Sequence, residues 1–404
     1  MRYTRIIWYS LMAVFLFAGL LSGGREFFLL FFIMLFVIIY SLVLNLWTAF
    51  SFSFIQELSD QSVVKGSLAH LKIGIYNDKP FPFTLMKVYV ETVTPDGTYE
   101  LSFNLSPQSH IDYLIPISCP YRGVYGVGMT KIETNDIFGL VKTRFDMRNL
   151  PYYRHQLIKI LPRIMELPYL PARGADAKYS GGAAKRISEE GDSYSDLRRY
   201  HPGDPLKKVH KPVSARKREL YVKSYDIPLE TTVLVAIDTG MESGEGETGR
   251  YLADLACECA VAIAEVSFRS GFNVELAGVD LSRSFKRKRN QEVLSALCDT
   301  LAELKFDRDG DLSNTLDIAA SKTGMYRAAY IISSAPPSSY AGALLRLQRD
   351  GCHVCFTKIS GEKSRTESRS ESGNTLKGVS CIHVTLGDDV RSALTEDSRY
   401  GGSG

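Results

Sequence analysis

The chain has 404 residues, of which 45% are hydrophobic and 23% charged, and a formal net charge of +3. That length accommodates two or three domains at roughly 100–200 residues each, and the composition excludes a disordered, collagen-like or disulfide-scaffold protein. The net charge supplies no argument for a nucleic-acid partner. The mean hydropathy of −0.07 is that of an ordinary soluble protein only as an average, because the apolar residues crowd at one end.

Residues Ile6 to Leu21 are nearly all apolar, with Ser10 the exception. A short polar turn, Ser22-Gly23-Gly24-Arg25-Glu26, follows, and Phe27 to Trp47 is apolar again, softened only by Tyr40, Ser41 and Asn45. A membrane span needs about 20 apolar residues; the second run meets this alone and the first meets it with Tyr3 to Ile6 counted as interfacial. Trp8, Tyr9 and Trp47 stand near the outer ends, where amphipathic aromatics favour the headgroup layer. A cleaved signal peptide followed by one anchor fits less well, since no small-x-small site precedes the second run. Residues 1–50 therefore predict a two-helix transmembrane hairpin. Arg2 and Arg5 precede the first helix, whereas the turn has Arg25 offset by Glu26. The positive-inside rule then predicts a two-pass protein of the cell membrane with the bulk of the chain in the cytoplasm. Seven cysteines in no regular framework agree with a reducing compartment.

Residues 51–165 read as β. Leu71, Ile73 and Ile75 alternate with Lys72, Gly74 and Tyr76, and Tyr99, Leu101, Phe103 and Leu105 alternate with Glu100, Ser102 and Asn104. A period of two marks half-buried strands. Pro95-Asp96-Gly97 supplies a turn. Further runs at Ile111–Ile117, Tyr125–Ile132, Leu140–Phe145 and Leu157–Leu161 complete the pattern of an antiparallel β-sandwich domain.

Residues 166–228 form a basic segment, rich in Gly and Pro, with Arg198, Arg199, Lys207, Lys208, Lys211, Arg216, Lys217, Arg218 and Lys223 opposed by few acids. Its composition predicts a long ordered loop with short elements. From 229 to 390 strands and helices alternate. Thr232–Ile237 is an apolar run ending at Asp238, as expected of a strand buried on both faces. Leu252, Leu255, Ala256, Cys259, Ala260 and Ile263 form a helical stripe. Phe272–Val279, Met325–Ser333, Cys352–Lys358 and Cys381–Leu386 read as strands, and Gln291–Leu304 and Tyr340–Gln348 as helices. Such alternation implies βαβ units and a Rossmann-type, mostly parallel sheet. Residues 391–404 read as a tail.

The stretch from Gly191 to Pro205, followed by Val209-His210 and Ser214-Ala215-Arg216, resembles the signature of domain-of-unknown-function family fifty-eight. Arg122-Gly123-x-Tyr125, Asp136-x-Phe138-Gly139-Leu140 and Pro162-Arg163 are similar to its upstream markers. The chain departs from the family pattern after the Val-His pair, with Lys211 and Pro212 where members carry Trp and Lys. The resemblance implies that the C-terminal half is similar to von Willebrand factor A domains. It further implies a MoxR-type AAA+ ATPase partner, and a transglutaminase-like membrane protein alongside. The residues it places at a binding surface are Arg198, Arg199, Tyr200, His201, Gly203, Asp204, His210, Ser214 and Arg216.

An adhesion-type magnesium site in a von Willebrand A domain uses Asp-x-Ser-x-Ser after the first strand, then a Thr and an Asp from later loops. Hard oxygen ligands around an open position suit that ion. Here the first loop is Asp238-Thr239-Gly240-Met241-Glu242, Ser313 or Thr315 could supply the hydroxyl, and Ser333-Ser334 stands where the last Asp would be. A set this degraded favours no bound cofactor, with Asp238 capping a helix or holding its loop. Glu242, Glu245 and Glu247 read as a solvated acidic loop. In Cys352-His-Val-Cys355, residues three apart on a strand point to opposite faces, so the pair cannot share a metal. No Walker A, Gly-x-Ser-x-Gly or His-Glu-x-x-His motif occurs. The basic run is a solvated face or a docking surface for protein or lipid, not interleaved with aromatics as a nucleic-acid module would be. The leading reading is a membrane-anchored scaffold or adaptor, not an enzyme. The alternatives are a metal-dependent ligand-binding module and an enzyme acting on cell-envelope precursors through His201 and His210.

Overall fold

A computed structural model describes residues 2–50, 52–94, 97–136, 139–149, 153–170, 196–199, 210–217, 219–224, 232–241, 246–278, 281–286, 290–306, 312–322, 325–361 and 379–396. The chain divides into two compact units, Met1–Leu161 and Pro162–Gly404.

The first unit opens with α1 (Arg2–Ser22) and α2 (Arg25–Phe50). Gly23 ends α1 at φ 65°, a left-handed cap conformation that costs glycine nothing, and its amide donates to the Gly19 carbonyl at 2.9 Å. Arg5–Ser22 and Arg25–Thr48 are both long and apolar enough to cross a membrane. Their large side chains are mostly bare of protein: Phe17 is 64% and Phe36 67% exposed. Such exposure is what separates a membrane helix from the buried core helix of a soluble protein. Helix α1 starts at Arg2, so Arg5 lies inside its first turns and not ahead of it as the charge pattern suggested.

Nine strands follow among the described residues: β1 (Ser53–Leu58), β2 (Ser62–Val64), β3 (Leu68–Asn77), β4 (Phe83–Glu91), β5 (Tyr99–Leu105), β6 (Ser109–Ser118), β7 (Gly123–Asn135), β8 (Lys142–Asp146) and β9 (Gln156–Leu161). They form a three-stranded sheet, β1-β3-β6, and a second sheet, β2-β9-β7-β4-β5, with β8 also paired to β7. Alternate residues of β3 (Leu71, Ile73, Ile75), β4 (Met86, Val88, Val90) and β7 (Val127, Met129) are fully buried in one apolar cluster. Each such side chain contributes about 1.5–3 kcal/mol of burial. One pairing departs from the antiparallel expectation: β2 runs parallel to β9. Six strands separate β2 from β9 in sequence, so no hairpin connects them and their direction is free of the turn constraint.

The helices are fastened to this unit by polar bonds. Ser41 donates from Oγ to Asp136 Oδ2 at 2.5 Å. Asn45 donates from Nδ2 to the carbonyls of Val141 at 3.2 Å and Thr134 at 3.4 Å, and its Oδ1 accepts the Thr134 hydroxyl. Arg5 donates from Nε to the Gly139 carbonyl at 3.0 Å. Ser41 and Asn45, one helical turn apart, are both buried. The turn that receives them is shaped by Asp136, whose Oδ1 accepts the Val141 amide at 2.9 Å.

In the second unit β10 (Asp196–Arg199) pairs antiparallel with β11 (Tyr221–Ser224), and α3 (Lys211–Lys217) lies between them in sequence. Then come β12 (Thr232–Ile237), α4 (Glu247–Arg269), β13 (Asn273–Gly278), β14 (Leu281–Phe285), α5 (Asn290–Glu303), α6 (Leu312–Ser321), β15 (Tyr326–Ser333), α7 (Ala341–Arg349), β16 (His353–Ser360), β17 (Ser380–Thr385) and α8 (Val390–Glu396). The sheet order is β14-β13-β12-β15-β16-β17, parallel throughout except for the antiparallel edge strand β14. Helices α6 and α7 pack through Leu312, Leu316, Leu344 and Leu347 against Leu234, Ile331 and Phe356 of the sheet. Helix α4 is buried continuously from Ala253 to Ala264, including Asp254 and Glu258. The apolar stripe read from the sequence is only part of its covered surface. A helix, α8, runs across the expected boundary at 390 into the first residues of the predicted tail, with Val390 and Leu394 in the core.

Candidate functional site

In a sheet of this order the chain leaves β12 on one side and resumes at β15 on the other. The carboxyl ends of these two neighbouring strands mark the topological switch point, where open α/β sheets hold ligands. Asp238 follows β12 there, and Ser333 is the last residue of β15. Asp238 Oδ2 accepts the Ser333 hydroxyl at 2.5 Å and the Tyr340 hydroxyl at 2.9 Å. Its Oδ1 accepts the Gly240 amide at 3.0 Å, and its own amide donates to the Ile332 carbonyl at 2.9 Å. Ser333 Oγ in turn accepts the Ala335 amide at 3.0 Å and lies 3.2 Å from the Tyr340 oxygen. Asp238, Thr239, Ser333 and Tyr340 are all buried.

An adhesion-type magnesium ion takes carboxylate lone pairs at an open coordination position; here each Asp238 oxygen accepts hydrogen bonds from donors of the same chain. Ser313 and Thr315 lie in the first turns of α6, each half-buried. Glu242 and Glu245 lie outside the described residues, and Glu247 opens α4 with its side chain exposed. Among the described residues no group of three or more His, Cys, Asp or Glu side chains could hold a metal.

The basic signature residues build a different feature. His210 precedes α3 and caps it: its Nδ1 accepts the Val213 amide at 3.2 Å, which places the ring proton of a neutral imidazole on Nε2. The His210 amide donates to the Tyr221 carbonyl at 2.8 Å. Ser214, buried, receives the Tyr221 amide on Oγ at 2.9 Å and donates back to the Tyr221 carbonyl at 3.4 Å. Lys217 places its ammonium 4.8 Å above the Tyr221 ring, within cation–π range. Thus α3 is clamped to β11, and Lys211, Arg216 and Lys217 are left exposed on it. Arg198 and Arg199 lie on β10 opposite Val222 and Tyr221. Tyr200, His201, Gly203 and Asp204 lie outside the described residues.

Residues 196–335 match the family described as protein of unknown function DUF58. The clamp and the switch point both fall within that span. No curated protein matches the chain. Solved structures that it resembles include a β-glucosidase from Erythrobacter marinus, at 12% identity over 28% of this chain and 15% of that one with a TM-score of 0.17. Cwp6 from Clostridium difficile aligns at 12% identity over 86% of this chain and 56% of that one, TM-score 0.19. A fragment of α-2-macroglobulin from Escherichia coli aligns at 13% identity over 74% and 42%, TM-score 0.21. Likenesses at these scores carry no argument about fold or function.

Cysteine chemistry adds nothing to the site. Cys352 packs with Val354 and Phe356 in the cluster that α6 and α7 cover, while Cys355 is buried outside it, so the two thiols face apart. Burial pushes the Cys352 thiol up to about 12 and Cys298 up to about 11, away from reactive thiolate. Sequence reading missed Ser333 and Tyr340 as partners of Asp238. It also passed over Ser41 and Asn45, although two polar residues one turn apart in an apolar helix are a signal in themselves.

Proposed function

We propose that the chain is a membrane-anchored scaffold whose α/β unit engages a MoxR-type AAA+ ATPase. The observation that carries this reading is the clamped basic helix α3. Its sequence motif, Val-His and Ser-Ala-Arg, lies in the span that matches DUF58, and its His and Ser are used to hold the helix on β11. Residues committed to building a rigid element that displays Lys211, Arg216 and Lys217 are those expected of a docking surface and not of a reacting centre. The family resemblance directs that surface to an AAA+ partner. Under the same reading the α/β unit is von Willebrand A-like, a view supported by its strand order and antiparallel edge, and the β unit is a sandwich, supported by two sheets sharing one apolar cluster. Helices α1 and α2 span the cell membrane twice, with the bulk of the chain cytoplasmic.

The test is affinity purification of the full chain from detergent-solubilised membranes, beside a Lys211→Glu/Arg216→Glu/Lys217→Glu variant. An AAA+ ATPase should be retained by the natural chain and lost from the variant. Absence of any AAA+ ATPase, or equal retention by both, would refute the reading.

A further inference from the structure

An ordered, exposed aromatic tip lies beside the end of α2. The loop between β3 and β4, Asp78-Lys79-Pro80-Phe81-Pro82, is organised by one buried side chain. Asn77 is 1% exposed. Its Nδ2 donates to the Phe81 and Ser106 carbonyls, each at 2.9 Å, and its Oδ1 accepts the Lys79 amide at 3.1 Å. The Lys79 carbonyl accepts the Gln108 amide at 3.3 Å. Prolines on either side of Phe81 restrict the backbone further. All this order serves a tip that covers nothing in the core: Pro80, Phe81 and Pro82 are exposed. The Phe81 ring lies edge-on to Trp47 of α2 with centroids 6.0 Å apart, and these rings are 44% and 52% exposed respectively.

The depth of this pair follows from helix length. Trp47 lies 22 residue steps after Arg25 along α2, which at about 1.5 Å each makes about 33 Å, slightly more than the hydrocarbon thickness of about 30 Å. With the Ser22–Arg25 turn at one face of the bilayer, Trp47 reaches the opposite headgroup layer. The polar clasp of Ser41 and Asn45 on Thr134, Asp136 and Val141 fixes the β strands to the two helical turns that precede Trp47. A rigid, exposed aromatic tip held against an interfacial tryptophan is continuous with the membrane-facing surface of the hairpin. An aromatic ring there gains from the apolar side of the interface, and Lys79 beside it suits anionic headgroups.

We propose that the Pro80-Phe81-Pro82 tip enters the headgroup layer of the lipid bilayer together with Trp47, so that the β unit is seated on the membrane and not merely tethered to it. The proposal rests on reading α1 and α2 as a transmembrane hairpin. The chain has only two tryptophans, Trp8 and Trp47, so Trp8→Phe/Trp47→Phe gives a silent background. In that background Phe81→Trp reports the tip, Pro80→Trp reports it independently should one change disturb the loop, and Phe36→Trp reports the mid-span of α2. The full chain is reconstituted into phosphatidylcholine–phosphatidylglycerol vesicles carrying bromine either near the carbonyl end or near the methyl end of the acyl chains.

The indoles at 80 and 81 should be quenched at least about twofold more by the carbonyl-end bromine, and the indole at 36 more by the methyl-end bromine. If aqueous iodide quenches positions 80 and 81 but neither lipid does, while position 36 responds to lipid, the hairpin stands and the seated tip is refuted. Equal or stronger quenching of the tip from the methyl end also overturns its headgroup placement. If position 36 also fails to respond to lipid, the hairpin reading falls, and the proposal with it.

Discussion

Replacing Tyr340 by Phe removes a single oxygen from the switch point and leaves the ring packed beside Phe356. The strongest bond lost is the 2.9 Å hydroxyl contact to Asp238 Oδ2, beside the 3.2 Å contact to Ser333 Oγ. Hydrogen bonds to charged groups contribute about 1.5–3 kcal/mol, a factor of roughly 10–150 in an opening equilibrium. Both tryptophans lie in the helical hairpin, so fluorescence does not follow this region. Hydrogen–deuterium exchange of the full chain in detergent does, through peptides covering β12 and β15. Tyr340→Phe should speed their exchange by about 10–150-fold. Asp238→Ala should speed it further, because the Ser333 hydroxyl and the Gly240 amide also lose their acceptor. Part of that loss is recovered where Ser333 and Tyr340, 3.2 Å apart, bond each other. Magnesium chloride should leave all these rates unchanged. Exchange in Tyr340→Phe within about twofold of the natural chain would refute a structural role for the cluster. Protection of the natural chain by magnesium, absent in Asp238→Ala, would restore the metal-binding alternative.

Asn45→Leu keeps α2 apolar but strips two donors from the Thr134 and Val141 carbonyls; limited proteolysis should cut the Asp136–Val141 turn faster, consistent with a loss of about 1–3 kcal/mol. His210→Ala removes the cap of α3 and should cost about 1 kcal/mol, read as faster amide exchange over Lys211–Lys217, with His210→Asn restoring protection. Burial works to raise the pKa of Glu133, but its bonds to Lys142 and Arg144 outweigh it and hold the carboxyl below the ordinary glutamate range. A carboxyl whose folded pKa is depressed contributes fully above its unfolded pKa and loses that contribution as pH falls through the folded value. Exchange protection of the β7–β8 pair should therefore decline as pH drops below about 4.5, and Glu133→Gln should flatten the decline.

Periodicity made the hairpin and much of the β pattern legible, because both depend on residues close in sequence. The alternation of Leu71, Ile73 and Ile75 is enough to predict which side of β3 is buried, and the unbroken apolar run of Thr232–Ile237 is enough to predict a strand covered on both faces. Strand β14 was not legible: Leu281–Phe285 is polar and alternating only in part, and it exists because β13 offers it an edge. The predicted hydroxyl ligands Ser313 and Thr315 sit in α6, whose Leu312 and Leu316 are claimed by the core.

Taken alone, the sequence determined where the apolar helices lie, that β precedes α/β, and that Asp238 ends a strand. Only the tertiary structure decided what Asp238 does, since its partners are 95 and 102 residues away and meet it solely through the adjacency of β12 and β15. The same holds for Ser41 and Asn45, whose partners lie 89 to 96 residues on. A hydrophobic pattern is written by neighbours along the chain, whereas a buried polar atom is satisfied by whichever donor or acceptor the fold brings within 3 Å or so.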